Sequence, residues 1–397
     1  MASSANIRRS PVPTETGTGK RKKARVAVQI ARRLEDRILA EGWPIGFQIG
    51  REAELAVEMG VSRWTLREAV RILEASGFVA MRKGAGGGLF VASSAYDFVC
   101  KMAANYFEFV QVTGEEFGSV MRTLNRLAMT QAIYRVPDEE HRRIETQLSQ
   151  LAALPLPQQL ESAGGIHQSL VRFSGNPALV LYVGILGKLT FDACVYSTLD
   201  DEVWLSSFRS VNALIADMAS AVLAGRADQA QAASDALAAV FCRLFAASFL
   251  HLRMPITSAA TQRAYDFFPP ARPLKKVDGV ERAIREMIFD EGWPVGSSLG
   301  SEKELAARFH VGRWVLREAL RSLEQLGVIA MGRGSRSGVR VVSPDPTAVV
   351  ETCRRYLRRE GMSGEQARTV RDLLRGGAGP GDHPHSIGDL FRQILAQ

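Results

Sequence analysis

Apolar residues in the first hundred positions follow a helical period that is broken three times and then gives way to short extended runs. Ile30, Leu34, Ile38 and Leu39 fall at helical spacing, and Gly42, Pro44 and Gly46 end the pattern, which predicts a first helix. Glu52 to Met59 predicts a short second helix with Leu55 and Ala56 inward, stopped by Gly60. Ser62 is placed to cap a third helix that runs to about Ser76, and Gly77 ends it. Leu55, Leu66, Val70 and Leu73 are the expected core. Phe78 to Met81 and Leu89 to Val91 then read as two strands joined by a Gly-rich loop from Gly84 to Gly88. Three helices followed by a β-hairpin is the layout of a winged helix-turn-helix, with Met59-Gly60-Val61-Ser62 as its tight turn.

The same pattern returns 250 residues later. Glu41 to Ser93 realigns with Glu291 to Ser343 without a gap and with roughly half the positions identical. A period this long is a duplicated domain rather than a solenoid repeat, and Phe309-His310-Val311-Gly312 is the second turn. Between the copies, Tyr96 to about Leu252 reads as amphipathic helices punctuated by Pro137, Pro155, Pro157, Gly164-Gly165 and Asn176-Pro177, an all-α domain. The similarity at offset 250 continues through Tyr356-Leu357 and Gly364-Glu365 before Gly376 to Gly381 intervenes, so a second helical domain is expected to be truncated, leaving a short helix from Ile387 to Leu395.

The expected fold is therefore mainly α: two winged helix-turn-helix domains, each three helices plus a β-hairpin, flanking an all-α bundle. The expected boundaries are a disordered basic arm at 1–25, a first winged domain at 26–93 and the bundle at 94–252. A Pro-rich linker at 253–275, a second winged domain at 276–343 and a truncated helical segment with tail at 344–397 complete the order.

Charge divides the chain the same way. The 397 residues carry a net charge of +8. Residues 1–92 hold +7 and 272–343 hold +4, while 93–271 hold −4. Basic blocks suit a polyanion, because neutralised phosphates release counterions, and an acidic middle is repelled from the same surface. The cysteines Cys100, Cys194, Cys242 and Cys353 lie too far apart for a disulfide scaffold or zinc knuckle and are expected to be reduced. No apolar stretch has the length and continuity of a membrane span, so a cytoplasmic protein is expected.

The string ELAVEMGVSRWTLREAVRILEASG, followed by a Gly-rich wing ending in Val, resembles the N-terminal domain of GntR-type bacterial transcription regulators, and both copies match. The resemblance implies DNA contact by the start of the third helix and the wing tip: Ser62, Arg63, Trp64, Thr65, Arg67, Lys83 and Gly84. In the second copy the equivalents are Gly312, Arg313, Trp314, Val315, Arg317, Arg333 and Gly334, with Gly312 and Val315 lacking the hydroxyls of Ser62 and Thr65. Physically, an Arg on the exposed first turn of such a helix bonds guanine O6 and N7 bidentately, which favours base reading for Arg63 and Arg313. Arg67 and Arg317 have two readings, phosphate contact or a salt bridge near Glu68 and Glu318. Trp64 and Trp314 likewise either meet the groove or shield the first helix.

The middle resembles the helical FCD domain of the FadR-like branch, through Met121 to Leu124 and through Ile166 to Leu170 followed by Ser174 to Leu179. That resemblance implies a small-acid effector, often with a metal. The family's metal site needs an Asp one turn before His167, where this chain has Ala163, and two later histidines, of which Phe208 to Leu244 has none. No bound metal and no cofactor are expected, since one imidazole is not a site. Arg122 as carboxylate anchor and His167 as pocket lining are the candidate effector residues, with a satisfied interior His167 as the other reading.

The sequence contains no P-loop, no GxGxxG after a strand, no GxSxG and no HExxH, and its histidines are scattered apart from His383 and His385 in a Gly/Pro tail. An enzyme is not expected. The expected function is a sequence-specific regulator that binds double-stranded DNA, modulated by a small-molecule effector and either monomeric or a homodimer through the helical domain. The alternative is an architectural protein that bridges DNA without an effector.

Overall fold

The computed structural model describes residues 26–27, 29–34, 36–38, 46–75, 79–82, 84, 86–91, 95–195, 201–249, 276–331, 338–376 and 386–396. The basic arm expected at 1–25 and the linker expected at 253–275 lie outside them. The chain forms two compact units, Met1–Ala95 and Tyr96–Gln397.

In the first unit, helical turns at 26–27, 29–34 and 36–38 (α1) are followed by β1 (Gln48–Gly50), α2 (Glu52–Glu58), α3 (Arg63–Ala75), β2 (Val79–Arg82) and β3 (Gly88–Val91). Ile30, Leu34, Leu55, Leu66, Val70, Leu73 and Leu89 are buried in one core. The expected hairpin is in fact two strands of a three-stranded antiparallel sheet, ordered β1-β3-β2. The missed strand β1 has three residues, too short to display a period, and it pairs because Ile49 is buried and Gly88 lets two backbones meet. A Cβ on Gly88 would stand 2.7 Å from the Gly50 carbonyl oxygen.

The second unit starts in α4 (Ala95–Val110) and continues through α5 (Gly114–Ala132), α6 (Asp138–Leu151), α7 (Leu156–Phe173), α8 (Pro177–Val195), α9 (Asp201–Leu223) and α10 (Ala227–Phe249). Helix α5 packs along α10, α10 along α9, and α7 touches α5, α8 and α9. The starts are set locally. Thr113 Oγ1 accepts from Glu116 N–H at 3.2 Å, and buried Asn176 accepts from Ala178 N–H at 3.0 Å.

The second winged domain follows in the same unit: α11 (Lys276–Asp290), β4 (Ser298–Gly300), α12 (Glu302–Arg308), α13 (Arg313–Gln325), β5 (Ile329–Met331) and β6 (Val339–Val341). Its sheet order, β4-β6-β5, repeats that of the first. Among the described residues three helices follow: α14 (Pro346–Arg359), α15 (Gly364–Gly376) and α16 (Ile387–Leu395). The start of α15 lies 250 residues after that of α5, as the repeat requires. Helix α16 docks on the bundle: Phe391 stacks on Tyr182 with centroids 3.8 Å apart and meets Phe107 edge-on at 5.7 Å. The Tyr182 hydroxyl donates to the Phe391 carbonyl at 2.9 Å, and the Ile387 N–H donates to the Glu116 carboxylate.

Candidate DNA interface and effector cavity

Ser62 caps helix α3: its Oγ accepts from Thr65 N–H at 3.1 Å. Leu66, Ala69, Val70 and Leu73 bury one face, leaving Ser62, Arg63, Trp64 and Arg67 exposed on the other. Trp64 is 53% and Trp314 70% exposed, so neither shields the first helix. Thr65 departs from expectation: it is only 8% exposed and its Oγ1 lies 2.9 Å from Ser62 Oγ. It completes the cap instead of facing outward. In the second domain Gly312, Arg313, Trp314 and Arg317 are likewise exposed and Val315 is half-buried.

Arg67 pairs with neither Glu68 nor a neighbour of it. Its Nε donates to Glu52 Oε1 at 2.8 Å, and Arg317 repeats the bond with Glu302 Oε2 at 2.8 Å, while Glu68 and Glu318 take Arg71 and Arg321. The pair ties the first residue of the second helix to the third helix and leaves the rest of each guanidinium, about 60% exposed, facing solvent. Gly84 is exposed at the wing with φ +110°, in the left-handed region that favours glycine. Lys83, Arg333 and Gly334 lie outside the described residues.

Two cations escaped the sequence reading. Arg82, exposed at the base of the first wing, lies 4.2 Å from the Phe90 ring centroid, which orients it. Arg51 occupies the cap position of α2, where Ser, Thr or Asp is preferred and the helix dipole disfavours a cation. Setting it against its repeat partner Ser301 would have exposed the anomaly.

A cavity of about 590 Å³ opens in the helical bundle, lined on its polar side by Lys101, Arg172, Lys188, His167 and Asp97, and on its apolar side by residues including Met121 and Phe208. His167 is among the lining residues; Arg122 is exposed and is not. The reason is helical phase: Met121 and Leu124 face the core, which turns residue 122 outward. Arg172 supplies the guanidinium instead. Burial holds His167 at a pKa of about 4, hence neutral, and its Nε2 lies 3.2 Å from Asn125 Oδ1.

The residues do not fit the family's metal. Ala163 is apolar and buried, His167 faces an amide, and among the described residues no three His, Cys, Asp or Glu side chains converge. Cys100, Cys242 and Cys353 are free thiols, and burial pushes Cys100 up to about 12, leaving it unreactive. Among the described residues no helix is long and apolar enough to cross a membrane.

A helix-turn-helix with an exposed Arg-Trp row, present twice and joined to a helical bundle with an internal cavity, defines the winged-helix regulator class. The model of the bacterial regulatory proteins of the gntR family matches residues 26–89 and again 276–341, and the FCD domain matches 116–239. The chain thus carries the GntR-type DNA-binding domain in duplicate, with an FCD domain between the copies. It is 39% identical over 77 residues to the HTH-type transcriptional repressor NanR of Enterobacter sp. (strain 638), covering 19% of this chain and 30% of that protein. It is 41% identical over 75 residues to an HTH-type transcriptional regulator of Mycobacterium tuberculosis, with the same coverage. The matches thus span less than a third of these relatives' lengths. Among solved structures, Streptococcus agalactiae GntR is similar with a TM-score of 0.39 and 19% identity, covering 55% of this chain and 99% of that one.

Proposed function

We propose that this protein is a sequence-specific, DNA-binding transcriptional regulator with two readers in one chain and an effector-binding helical domain between them. The observation that carries this reading is the repeated surface: Arg63, Trp64 and Arg67 recur as Arg313, Trp314 and Arg317, all of them exposed, with the same Arg–Glu anchor behind each. Arg63 and Arg313 read guanine edges, each contributing about 1–3 kcal/mol of discrimination, and the anchored Arg67 and Arg317 hold phosphate with their free nitrogens. Ser62, Arg82 and Gly84 complete the first reader's contact surface, and the basic balance of both reader segments supplies the salt-dependent part of the affinity.

With both readers in use, a single chain spans a two-half-site operator that ordinarily requires two protomers. The cavity takes a small acid: three cationic side chains against one carboxylate, with an apolar floor, suit an anion carried on a hydrocarbon body. The relatives are regulators, and nothing in the site calls for catalysis.

Selection of bound sequences from a random DNA pool tests this. The wild type is expected to enrich two half-sites, Arg63→Ala with Arg67→Ala to erase one, and Arg313→Ala with Arg317→Ala to erase the other. Enrichment of a single half-site that ignores the second pair of substitutions would reduce the second domain to a structural remnant. Binding without enrichment would favour an architectural role.

A further inference from the structure

Lys101 belongs to two places at once. It lines the effector cavity, and its Nζ pairs with the carboxylate of Glu281 on α11, the first helix of the second reader. One turn and then two turns further along α4, the row continues with Asn105 and Glu108. Glu108 accepts from Arg285 Nη2 at 2.8 Å, and both side chains are only 6% exposed. Phe109 meets Trp293 edge-on at 5.5 Å beside them. The second reader is thus held on α4 by two ion pairs and an aromatic contact.

The seam is polar, and it is incompletely satisfied. Asn105 is fully buried, and neither atom of its amide has a hydrogen-bond partner among the described residues. Glu281 is 6% exposed and its carboxylate faces Lys101, whose own side chain is 31% exposed. Taking away one partner of a buried pair leaves the other uncompensated, which costs far more than an exposed pair would. A seam of this kind favours opening once Lys101 is drawn elsewhere.

We propose that Lys101 is a shared ligand that latches the second reader to α4 through Glu281, and that an acid bound in the cavity draws Lys101 off that carboxylate and loosens the reader. This rests on the reading of the cavity as an acid-binding site. The coupling runs through one side chain and reaches the second reader directly. The anion and Glu281 compete for the same ammonium, so acid binding and latching oppose each other by the same factor.

The test uses the full chain. Succinate, citrate and phenylacetate are titrated by calorimetry, and amide hydrogen exchange of residues 276–290 is followed with and without each. The expected result is that an acid that binds speeds exchange across α11 at least tenfold. Lys101→Met is expected to give the same speed without acid and no further response to it, and Lys101→Arg to restore slow exchange. Circular dichroism of both variants checks that the fold is intact. Binding with α11 exchange unchanged would overturn the latch and leave the effector site standing. Slow exchange in a folded Lys101→Met would also overturn it. Absence of binding by all three acids would overturn both the ligand class and the competition, even with α11 released by Lys101→Met.

Discussion

The first reader caps its recognition helix with Ser62 and leaves the preceding helix headed by Arg51; the second caps the preceding helix with Ser301 and leaves its recognition helix headed by Gly312. Ser301 Oγ accepts from Glu304 N–H while Glu304 accepts from Ser301 N–H at 2.7 Å, a complete capping box. The turns differ as well. Gly60 takes φ +66° without strain, whereas His310 is held at φ +51° in the same left-handed region. What survives in both copies is the scaffold: the Arg–Glu anchor, the acceptance of Met81 N–H by Glu74 and of Met331 N–H by Glu324, and the glycine where two strands meet. Duplicated domains with one core pattern have drifted at their helix ends, where substitution costs least and where the proposed DNA contacts lie.

Four expectations press on that contrast. The largest effect concerns what the copies share. A Cβ at Gly338 would lie 2.4 Å from the Gly300 carbonyl oxygen, against 2.7 Å for Gly88 and Gly50, so Gly338→Val and Gly88→Val should each destabilise their own domain by about 3 kcal/mol. Hydrogen exchange resolved by segment reads this, and equal protection in the variants would show that the sheets are not a common requirement.

The second expectation sets the helical domain against the readers. His167 has its pKa lowered from 6.5 to about 4 by burial, so the folded state binds fewer protons than the unfolded one. The neutral ring's contribution is fully present above about pH 6.5 and is lost as the pH falls toward 4. Chemical denaturation followed by a helical-domain probe should show that decline, and His167→Gln should flatten it.

Next come the drifted positions. His310→Gly should relieve left-handed strain and stabilise the second reader by about 1 kcal/mol, while Gly60→His should cost the first a similar amount. The smallest effects are at the caps. Arg51→Ser should stabilise the first reader by about 0.5–1 kcal/mol, and Gly312→Ser the second by only a few tenths, because glycine is itself a tolerable cap. If Arg51→Ser also weakens DNA binding with a shallower salt dependence, the displaced cap is explained as a phosphate contact.

Much of the fold was legible because helical periodicity and breakers act locally. The α2–turn–α3 unit, its cap at Ser62 and the duplication at offset 250 follow from short-range pattern. The third strand of each sheet was not, since Gln48–Gly50 and Ser298–Gly300 are specified by partners about 40 residues away. At the candidate interface, the exposed row was readable from helical phase, but the inward turn of Thr65 depends on a hydroxyl pair and the Arg67–Glu52 anchor on tertiary packing. The cavity was the least legible. Family resemblance points to Arg122, while Arg172, Lys101 and Lys188 converge from separate helices, and no spacing in the sequence announces that meeting.

The docking of α16 sets an order of events during synthesis. Tyr182 leaves the ribosome 209 residues before the carbonyl its hydroxyl bonds, and Glu116 waits 271 residues for Ile387 N–H. The helical domain therefore emerges with an aromatic slot unfilled, and the entire second reader is made before the slot closes. Late-closing contacts of such long separation slow folding and expose apolar surface meanwhile. A nascent chain interrupted anywhere in the second reader therefore lacks α16 and leaves the Tyr182 slot of the bundle open.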